Sequence, residues 1–321
     1  MVEREILAAK QPLLELRACI LQKMRNFFVE RGFLEVQTPV LARELAPEPY
    51  IEPVAVGKEG FLITSPELYM KRLLSAGYEK IFQISPAFRK GERGRLHHPE
   101  FTILEWYRAG ADYEALQQDC RELIAALCKA CNRWPGWFFQ KRWISAGEDW
   151  QCITVREAFR SFAGWDPLLD ADPFRFDHDL VQKVEPHLGF PQPCILKDYP
   201  ADQAALAHVK PGHPSVAERF ELYWAGIELA NGFSELTDPR EQRVRFTAAL
   251  EKHRRQGYPS QSLPEMFLES MAHLPPCAGI ALGVDRLVML LADAENLDLV
   301  VAFPPVPLSD DPPQPADGFA S

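Results

Sequence analysis

The segment FRKGERGRLHHPEF, residues 88–101, combines side chains that bind phosphate with one that can stack on a base. An arginine guanidinium makes two charge-assisted hydrogen bonds to a phosphate at once, and apolar neighbours would hold Arg89 on a strand. Arg95 and His97 can add phosphate contacts, and Phe101 offers a ring face for a base. A solvated hairpin tip is the alternative, but it needs no such combination. The segment therefore indicates a nucleotide site.

Two glutamates of the segment at residues 218–236 are spaced for a metal ion. A two-residue hairpin loop at Ala225-Gly226 would pair Glu221 with Ala230. Glu221 and Glu228 would then lie diagonally on one face, where two like charges repel unless a cation lies between them. Mg²⁺ held by two carboxylates and nucleotide phosphates satisfies this arrangement. Solvated surface glutamates are the alternative, although both strands are rich in apolar residues.

The segment GIALGVDRLVML, residues 279–290, predicts an anion site at the start of a buried helix. Gly283 permits close backbone approach, and Arg286 follows it where an apolar helix begins. A structural ion pair between Asp285 and Arg286 is the alternative.

The segment TSPELYMKRLL, residues 64–74, places an acid where a strand passes into a helix. Proline suits the first turn of a helix, so Ser65 and Pro66 mark the boundary and Glu67 lies in that turn. An ordinary acidic helix start is the alternative.

Other common catalytic patterns are absent from the sequence. It contains no Walker phosphate loop, GxGxxG, HExxH or GxSxG pattern. Cys128 and Cys131 form one CxxC, but two further zinc ligands at suitable spacing are missing nearby. The surrounding LIAALCKAC is typical of a buried helix face.

The elements that position these segments alternate without the rhythm of βαβ units. The periodicity predicts a helix over 13–31, a strand over 33–36, strands at 61–65 and 80–85 separated by a helix, and a strand at 101–107 followed by a helix over about 112–131. Residues 132–200 indicate an insertion of short helices and loops, and the Pro-rich residues 306–321 a disordered tail. We predict an α+β fold over 1–305, with a central, mainly antiparallel sheet flanked by helices.

Composition limits the classes of function. The chain has 321 residues, 35 basic and 45 acidic, and a formal charge of −10, with no basic tail for a long phosphate backbone. Seven scattered cysteines are typical of a reducing cytoplasm. The charged first 17 residues and the interrupted apolar stretch at 278–292 predict no membrane segment.

Taken together, the four segments resemble the signature motifs of class II aminoacyl-tRNA synthetases, most closely the lysyl-tRNA synthetase catalytic domain. GFLEVQTP with Pro39 is similar to the first motif, which forms the dimer interface. FR…HHPEFT is similar to the second motif and GVDR to the third. The match covers roughly residues 13–303.

The resemblance implies a role for each matching residue. Arg89 and Arg286 would act in catalysis on the ATP phosphates and the adenylate, and Glu221 and Glu228 would hold Mg²⁺. The further ATP-binding residues implied are Lys90, Gly91, Glu92, His97, His98, Phe101, Glu228, Leu229 and Gly283. The substrate-binding residues implied are Ser65, Pro66, Glu67, Glu105, Tyr107, Asn231, Glu235 and Ala281, with Glu67 on an amino group, Asn231 on the carboxylate, and Tyr107, Glu105 and Glu235 on the distal ammonium.

The sequence departs from lysyl-tRNA synthetases in ways that resemble the elongation factor P lysyl-ligase family. We expect no N-terminal anticodon-binding barrel, because the first motif begins about thirty residues from the start. Gly91 stands where a glutamate is expected, His98 replaces an asparagine, and Ala281 replaces a glycine. Members of that family activate (R)-β-lysine or lysine with ATP and Mg²⁺ as an acyl-adenylate. They pass the acyl group to a lysine side chain of elongation factor P, so we expect no tRNA partner, a cytoplasmic location and a homodimer.

Three other functions remain open at the level of sequence. A minimal enzyme could charge tRNA or an RNA mimic, although the acidic balance counts against it. A non-catalytic regulatory paralogue should have lost phosphate or metal groups, yet Arg89, Arg286, Glu221 and Glu228 are present. A small-molecule amide ligase differs from a protein-modifying enzyme only in its acceptor.

Overall fold

A mixed sheet of eight strands forms the centre of the protein in a computed structural model that describes residues 3–147 and 149–305. The predicted disordered tail at 306–321 lies outside the described residues. The helices are α1 (Glu3–Glu30), α2 (Glu67–Ser75), α3 (Tyr113–Ala130), α4 (Val155–Ala158), α5 (Pro173–Asp179), α6 (Pro239–Gln256), α7 (Glu265–Ser270) and α8 (Val284–Leu291). The strands are β1 (Leu34–Glu35), β2 (Leu41–Ala42), β3 (Ala55–Val56), β4 (Gly60–Leu62), β5 (Lys80–Phe88), β6 (Glu100–Ala109), β7 (Gly136–Phe139), β8 (Arg142–Ser145), β9 (Gln151–Thr154), β10 (Cys194–Pro200), β11 (Val216–Trp224), β12 (Ile227–Ser234) and β13 (Cys277–Gly283).

The strand order of the main sheet is β1-β5-β6-β13-β12-β11-β10-β9. Only the two outermost pairs, β1 with β5 and β9 with β10, are parallel. The five inner pairs are antiparallel. The predicted α+β class with a mainly antiparallel central sheet and flanking helices is confirmed.

The main core lies between the sheet and helices α1, α3 and α8. The apolar stripe of α1 buries Met24 and Phe28, and the Phe28 ring stacks on Phe82 of β5 with centroids 4.9 Å apart. Helix α3 begins where the Asp112 side chain accepts hydrogen bonds from two backbone N–H groups, as an N-cap should. Burial of these apolar faces packs the sheet against its helices and fixes the strands that carry the site.

The predicted order of elements up to residue 131 matches the structure, but the interpretation of residues 132–200 was incomplete. That segment has short helices and also four strands, β7 to β10, and β9 and β10 extend the main sheet. Strand β10 escaped prediction because its apolar run is short and its ladder is broken at Asp198, a residue with φ of 63°. Pairing with β11, rather than local pattern, makes this segment a strand.

The β11–β12 hairpin has the predicted two-residue loop but a different register. Ala225 and Gly226 both have positive φ, as a tight hairpin turn requires, and the strands diverge by one residue beyond the first pairs. Because of this bulge, Glu221 pairs with Asn231 and not with Ala230, which corrects the predicted pairing.

No helix in the described ranges is long and apolar enough to cross a membrane.

Candidate active site

Two transverse rows of residues on one face of the sheet form the floor of the site. In the first row Glu105, Ala281, Asn231 and Glu221 are successive partners across β6, β13, β12 and β11. In the second row, two residues along each strand, the partners are Tyr107, Gly279, Phe233 and Arg219. Since side chains alternate between faces with a period of two, both rows point to the same side.

A cavity of about 380 Å³ lies over this floor and is rich in acidic side chains. Its acids are Glu48, Glu67, Glu105, Asp177 and Asp202, and its bases are Arg89, Arg219 and Lys252. The predicted substrate-binding residues Ser65, Glu67, Glu105, Tyr107, Asn231 and Ala281 all line it. A concave site with convergent carboxylates suits a cationic ligand. We call it the acidic cavity.

Glu105 is held by two hydroxyl groups at the bottom of the acidic cavity. Ser65 Oγ donates to Glu105 Oε1 at 2.7 Å, and the Tyr107 hydroxyl donates to Oε2 at 2.8 Å. Burial, and then the charge of Glu67, raise the pKa of Glu105 to about 8. The same burial raises the pKa of Tyr107 well above its usual range, so its hydroxyl remains a donor.

Glu235, predicted to bind the distal ammonium, does not line the acidic cavity and instead contacts a lysine of the protein. Lys71 is wholly buried, and its Nζ lies 2.5 Å from Glu67 Oε1 and also contacts Glu235 Oε2. Burial alone would lower the pKa of Lys71, but the charges of Glu235 and Glu67 outweigh it and raise the pKa. Lys71 thus joins two predicted substrate carboxylates from different elements. We call these three residues the buried triad.

Gly279 is the position on the floor where only glycine fits. A Cβ atom at this position would lie 2.2 Å from a ring carbon of Tyr107 and 2.3 Å from Glu235 Oε1. Because glycine has no side chain, the Tyr107 ring and the Glu235 carboxylate can both lie against the backbone of Gly279.

A second cavity, of about 180 Å³, adjoins the acidic cavity and is lined by Arg89 and Arg286. We call it the arginine cavity. Arg286 donates from Nη1 to the Glu228 backbone oxygen at 2.8 Å and from Nε to the Leu96 oxygen at 3.1 Å. The Arg89 guanidinium carbon lies 5.0 Å from the Phe101 ring centroid. Two arginines and an aromatic face suit a nucleotide with its phosphates.

The two histidines of the second motif segment have different surroundings. His97 Nε2 accepts from Arg286 Nη2 at 2.7 Å, and burial and then the Arg286 charge lower the His97 pKa, so its ring stays neutral. His98 is buried, and its Nε2 lies 2.8 Å from Asp298 Oδ1. His98 therefore connects the motif loop to the segment after α8 as well as lining the arginine cavity.

The two predicted metal ligands are paired with cations of the protein. Glu228 Oε2 lies 3.1 Å from Arg286 Nη1. Glu221 pairs with Arg219 and accepts hydrogen bonds from the Tyr199 hydroxyl at 2.5 Å and the Tyr223 hydroxyl at 2.6 Å. Within residues 3–147 and 149–305, no three His, Cys, Asp or Glu side chains are grouped to hold a metal. Arg219 and Arg286 therefore lie beside the two carboxylates predicted to bind Mg²⁺.

The ion pair between Asp285 and Arg286, the alternative considered from the sequence, is not formed in the structure. Asp285 pairs with Arg17 of α1, at 2.6 Å, and accepts from the Thr102 backbone N–H at 2.8 Å. Arg286 is therefore not committed to its neighbour. Asp285 instead anchors helix α8 to α1 and to strand β6.

The structure brings most of the predicted residues to one of the two cavities. The arginine cavity is lined by Arg89, Glu92, His97, His98, Phe101, Glu228, Leu229, Gly283 and Arg286. Five predicted residues line neither cavity: Pro66, Lys90, Gly91, Glu221 and Glu235. Lys90 is directed away and pairs with Glu52 at 2.5 Å.

Sequence reasoning missed Glu48, Lys71 and Arg219. Glu48 lies in the loop between β2 and β3 and lines both cavities, but its sequence context, LAPEPYIEP, carries no motif. Arg219 could have been found, because it lies two residues before Glu221 and hence on the same face of β11. Its Nε donates to Asn231 Oδ1 at 3.0 Å.

The sequence matches the family model described as tRNA synthetases class II (D, K and N) over residues 7–307. Three similar curated proteins are each named elongation factor P–(R)-β-lysine ligase. The Vibrio cholerae protein is 38% identical over 307 residues, which is 91% of this chain and 94% of the relative. The Pectobacterium carotovorum protein is 41% identical over 303 residues, 89% and 93% of the two chains. The Salmonella typhi protein is 38% identical over 312 residues, 92% and 96% of the two chains.

Proposed function

This chain belongs to the elongation factor P–(R)-β-lysine ligase family within the class II tRNA synthetases, and from that premise we propose how its two cavities carry out the reaction. The enzyme is an ATP-dependent ligase that activates (R)-β-lysine, or lysine, as an acyl-adenylate. It then transfers the acyl group to a lysine ε-amine of elongation factor P and forms an amide.

The single observation that carries the proposal is the junction of an acidic cavity with an arginine cavity. A diamino acid has ammonium groups that need acceptors, and the acidic cavity offers Glu67 and Glu105 at its floor. A nucleotide has phosphates that need donors, and the arginine cavity offers Arg89 and Arg286. An acyl-adenylate has both chemical parts joined by one bond, so it suits two cavities with a common boundary.

In the activation step we propose that the substrate carboxylate attacks the α-phosphorus of ATP and that pyrophosphate leaves. Arg219 holds the Oδ1 of Asn231, which leaves the Asn231 amide N–H groups to orient the carboxylate. Arg89 and Arg286 stabilise the charge that develops on the phosphates, and Phe101 stacks on adenine. Catalysis then rests on positioning and on fixed charge, and needs no protein nucleophile.

The distal ammonium of the substrate is proposed to lie against Tyr107 and Glu105. Glu235 lies next to Tyr107 at Gly279 and outside the acidic cavity. We propose that Glu235, paired with Lys71, influences the distal ammonium electrostatically and without direct contact. The amino group near the carboxylate is proposed to contact Glu67. Lys71 of the buried triad holds Glu67 in place at the first residue of helix α2.

Mg²⁺ fits the site through Glu228 more readily than through Glu221. The Glu228 side chain is 37% exposed and lines the arginine cavity, so it is accessible to an ion that also binds phosphates. The Glu221 oxygens already accept from Arg219, Tyr199 and Tyr223, and one of these partners would have to give way. We propose Glu228 as the principal ligand and Glu221 as the second. A bound Mg²⁺ would neutralise charge on the phosphates.

The remaining features of the enzyme are proposals of the same standing. Residues 1–305 would form the catalytic domain, acting in the cytoplasm on elongation factor P without tRNA. A homodimer would form through the residues around Pro39, by resemblance to the first motif of the class. The mass of the protein in solution tests the dimer directly.

The function is tested by ATP–pyrophosphate exchange with (R)-β-lysine, with α-lysine, and with norleucine as a matched control that lacks the distal ammonium. We expect exchange with a lysine isomer and none with norleucine. Elongation factor P incubated with the enzyme, ATP and that isomer should then gain the mass of one acyl group. Exchange without any acceptor acylation would argue for a different acceptor, and acylation of tRNA in a parallel reaction would replace the proposal.

A further inference from the structure

Six residues line both cavities and define their junction. These residues are Glu48, Ile51, Arg89, Ile103, Asn231 and Ala281. If the acyl group occupies the acidic cavity and the phosphate the arginine cavity, the bond between them lies at this junction. It is the bond that the acceptor amine must break, so a side chain of the protein that takes the proton during transfer would lie there.

Glu48 is the one junction residue able to exchange a proton near neutral pH. Ile51, Ile103 and Ala281 are apolar, Asn231 is a neutral amide, and the Arg89 guanidinium keeps its proton. The other five junction residues can position or stabilise the reacting groups but cannot serve as a base.

The Glu48 backbone is anchored while its carboxylate stays free. The Glu48 carbonyl oxygen accepts from the His253 ring, which fixes the loop against helix α6, and from the Ile51 N–H at 3.2 Å. Within the part of the chain that the structure describes, the carboxylate has no hydrogen-bond or ion-pair partner, and the groups that act on it do so through charge alone. A half-buried carboxylate with no partner, placed at the junction of two cavities, is available to a ligand.

Burial is the largest influence on the acidity of Glu48 and raises its pKa to about 7. The charged groups that face it are Arg89 and Arg219, which lower the pKa, and Glu67 and Glu92, which raise it. A base whose pKa lies near the working pH is both deprotonated often enough and basic enough to be effective.

We propose that Glu48 is the general base of the acyl-transfer step, which rests on the proposed function of the two cavities. It is not required for the activation step, in which a carboxylate that is already ionised attacks phosphorus. The two half-reactions therefore depend on different residues.

The acceptor lysine enters as the neutral amine, having lost one proton to solvent. Its nitrogen lone pair forms a C–N bond to the acyl carbon, and the C–O bond to the phosphate breaks, so that AMP leaves with the bonding pair. The proton that the nitrogen loses passes to the Glu48 carboxylate, which later releases it to solvent.

The experiment separates the half-reactions in Glu48→Gln, which keeps the shape of the side chain but cannot accept the proton. Exchange of pyrophosphate into ATP with lysine should stay within about three-fold of the parent, while single-turnover transfer from preformed enzyme-bound adenylate to elongation factor P should fall roughly 100-fold or more. Glu44→Gln, in the same loop but outside both cavities, is the matched control and should leave both rates unchanged.

The pH profile gives a second readout. Transfer by the parent should rise with pH through about 7, where Glu48 loses its proton. Deprotonation of the acceptor ε-amine raises transfer with pH in every variant, but the additional inflection at about pH 7 should be absent in Glu48→Gln, and Glu48→Asp should restore it in part.

Three outcomes are distinguishable. Loss of transfer with exchange preserved supports the base. Loss of both exchange and transfer would overturn the assignment of Glu48 as a base and would make Glu48 a substrate-binding residue. Unchanged transfer in Glu48→Gln would also overturn the assignment of Glu48 as a base. Failure of the proposed function has a different signature, because the parent enzyme itself would then show no exchange with any lysine isomer, or exchange without transfer to elongation factor P.

Discussion

Replacing Lys71 by methionine should destabilise the protein strongly, because it removes the one cation of the buried triad. The Lys71 and Glu235 side chains are 0% exposed and the Glu67 side chain is 10% exposed, so solvent screens almost none of the interaction. Methionine fills most of the space of the lysine stem, which leaves charge as the main change. Removing one partner of a buried ion pair costs about 3–5 kcal/mol. At roughly 2.1 cal/mol/K of unfolding entropy per residue, a chain of 321 residues should then lose roughly 4–8 °C in the midpoint of thermal unfolding.

The loss should depend on pH with a definite sign. Burial already raises the Glu235 pKa well above its usual range, against the opposing effect of Lys71, and the substitution should raise it further. A carboxyl group whose pKa is higher in the folded state takes up a proton on folding, so stability falls as pH rises through that pKa. The deficit of Lys71→Met should therefore be smaller at about pH 5 than at about pH 9.

Thermal and denaturant unfolding at these two pH values, followed by circular dichroism, provide the measurement. Lys58→Met, at an exposed lysine, is the matched control and should change little. The double variant Lys71→Met/Glu235→Gln removes the uncompensated charge and should recover a large part of the loss. A deficit below about 1 kcal/mol, or one equal at both pH values, would refute the assignment of the triad as a charge-neutralising unit.

Three further predictions concern activity. Arg286→Ala should lower ATP–pyrophosphate exchange roughly 100-fold to 1,000-fold with the fold intact, and Glu228→Gln should do likewise; rates within a few-fold of the parent would remove them from the site. Ala281→Gly should shift preference from (R)-β-lysine towards α-lysine by roughly 10-fold to 200-fold in kinetics of adenylate formation, since Ala281 lines both cavities; an unchanged isomer ratio would contradict this. Gly279→Ala should raise the KM for lysine by about 10-fold with little change in the KM for ATP, because the added methyl would lie 2.2 Å from the Tyr107 ring. A KM for lysine equal to that of the parent would show that the floor of the site adjusts to the methyl group.

Patterns within short segments predict most of the elements up to residue 131 and many of the residues that line the arginine cavity. The periodicity of α1, the apolar run of β6 and the apolar helix after Gly283 are local features, and burial of these faces decides where they pack. The β11–β12 loop at Ala225-Gly226 was equally local, since its conformation depends on two residues.

The sequence by itself determined the family, the α+β class and the set of charged residues, while the tertiary structure decided which charges meet. Glu221, predicted to bind a metal ion, pairs in the structure with Arg219, and Glu235, predicted to bind the substrate, contacts Lys71. A buried charge takes the nearest partner that compensates its desolvation, and for Glu235 that partner comes from a helix remote in the chain. Glu48 has no motif in its sequence context, and only the tertiary structure, which packs the loop before β3 beside two cavities, identifies it as a residue that lines both.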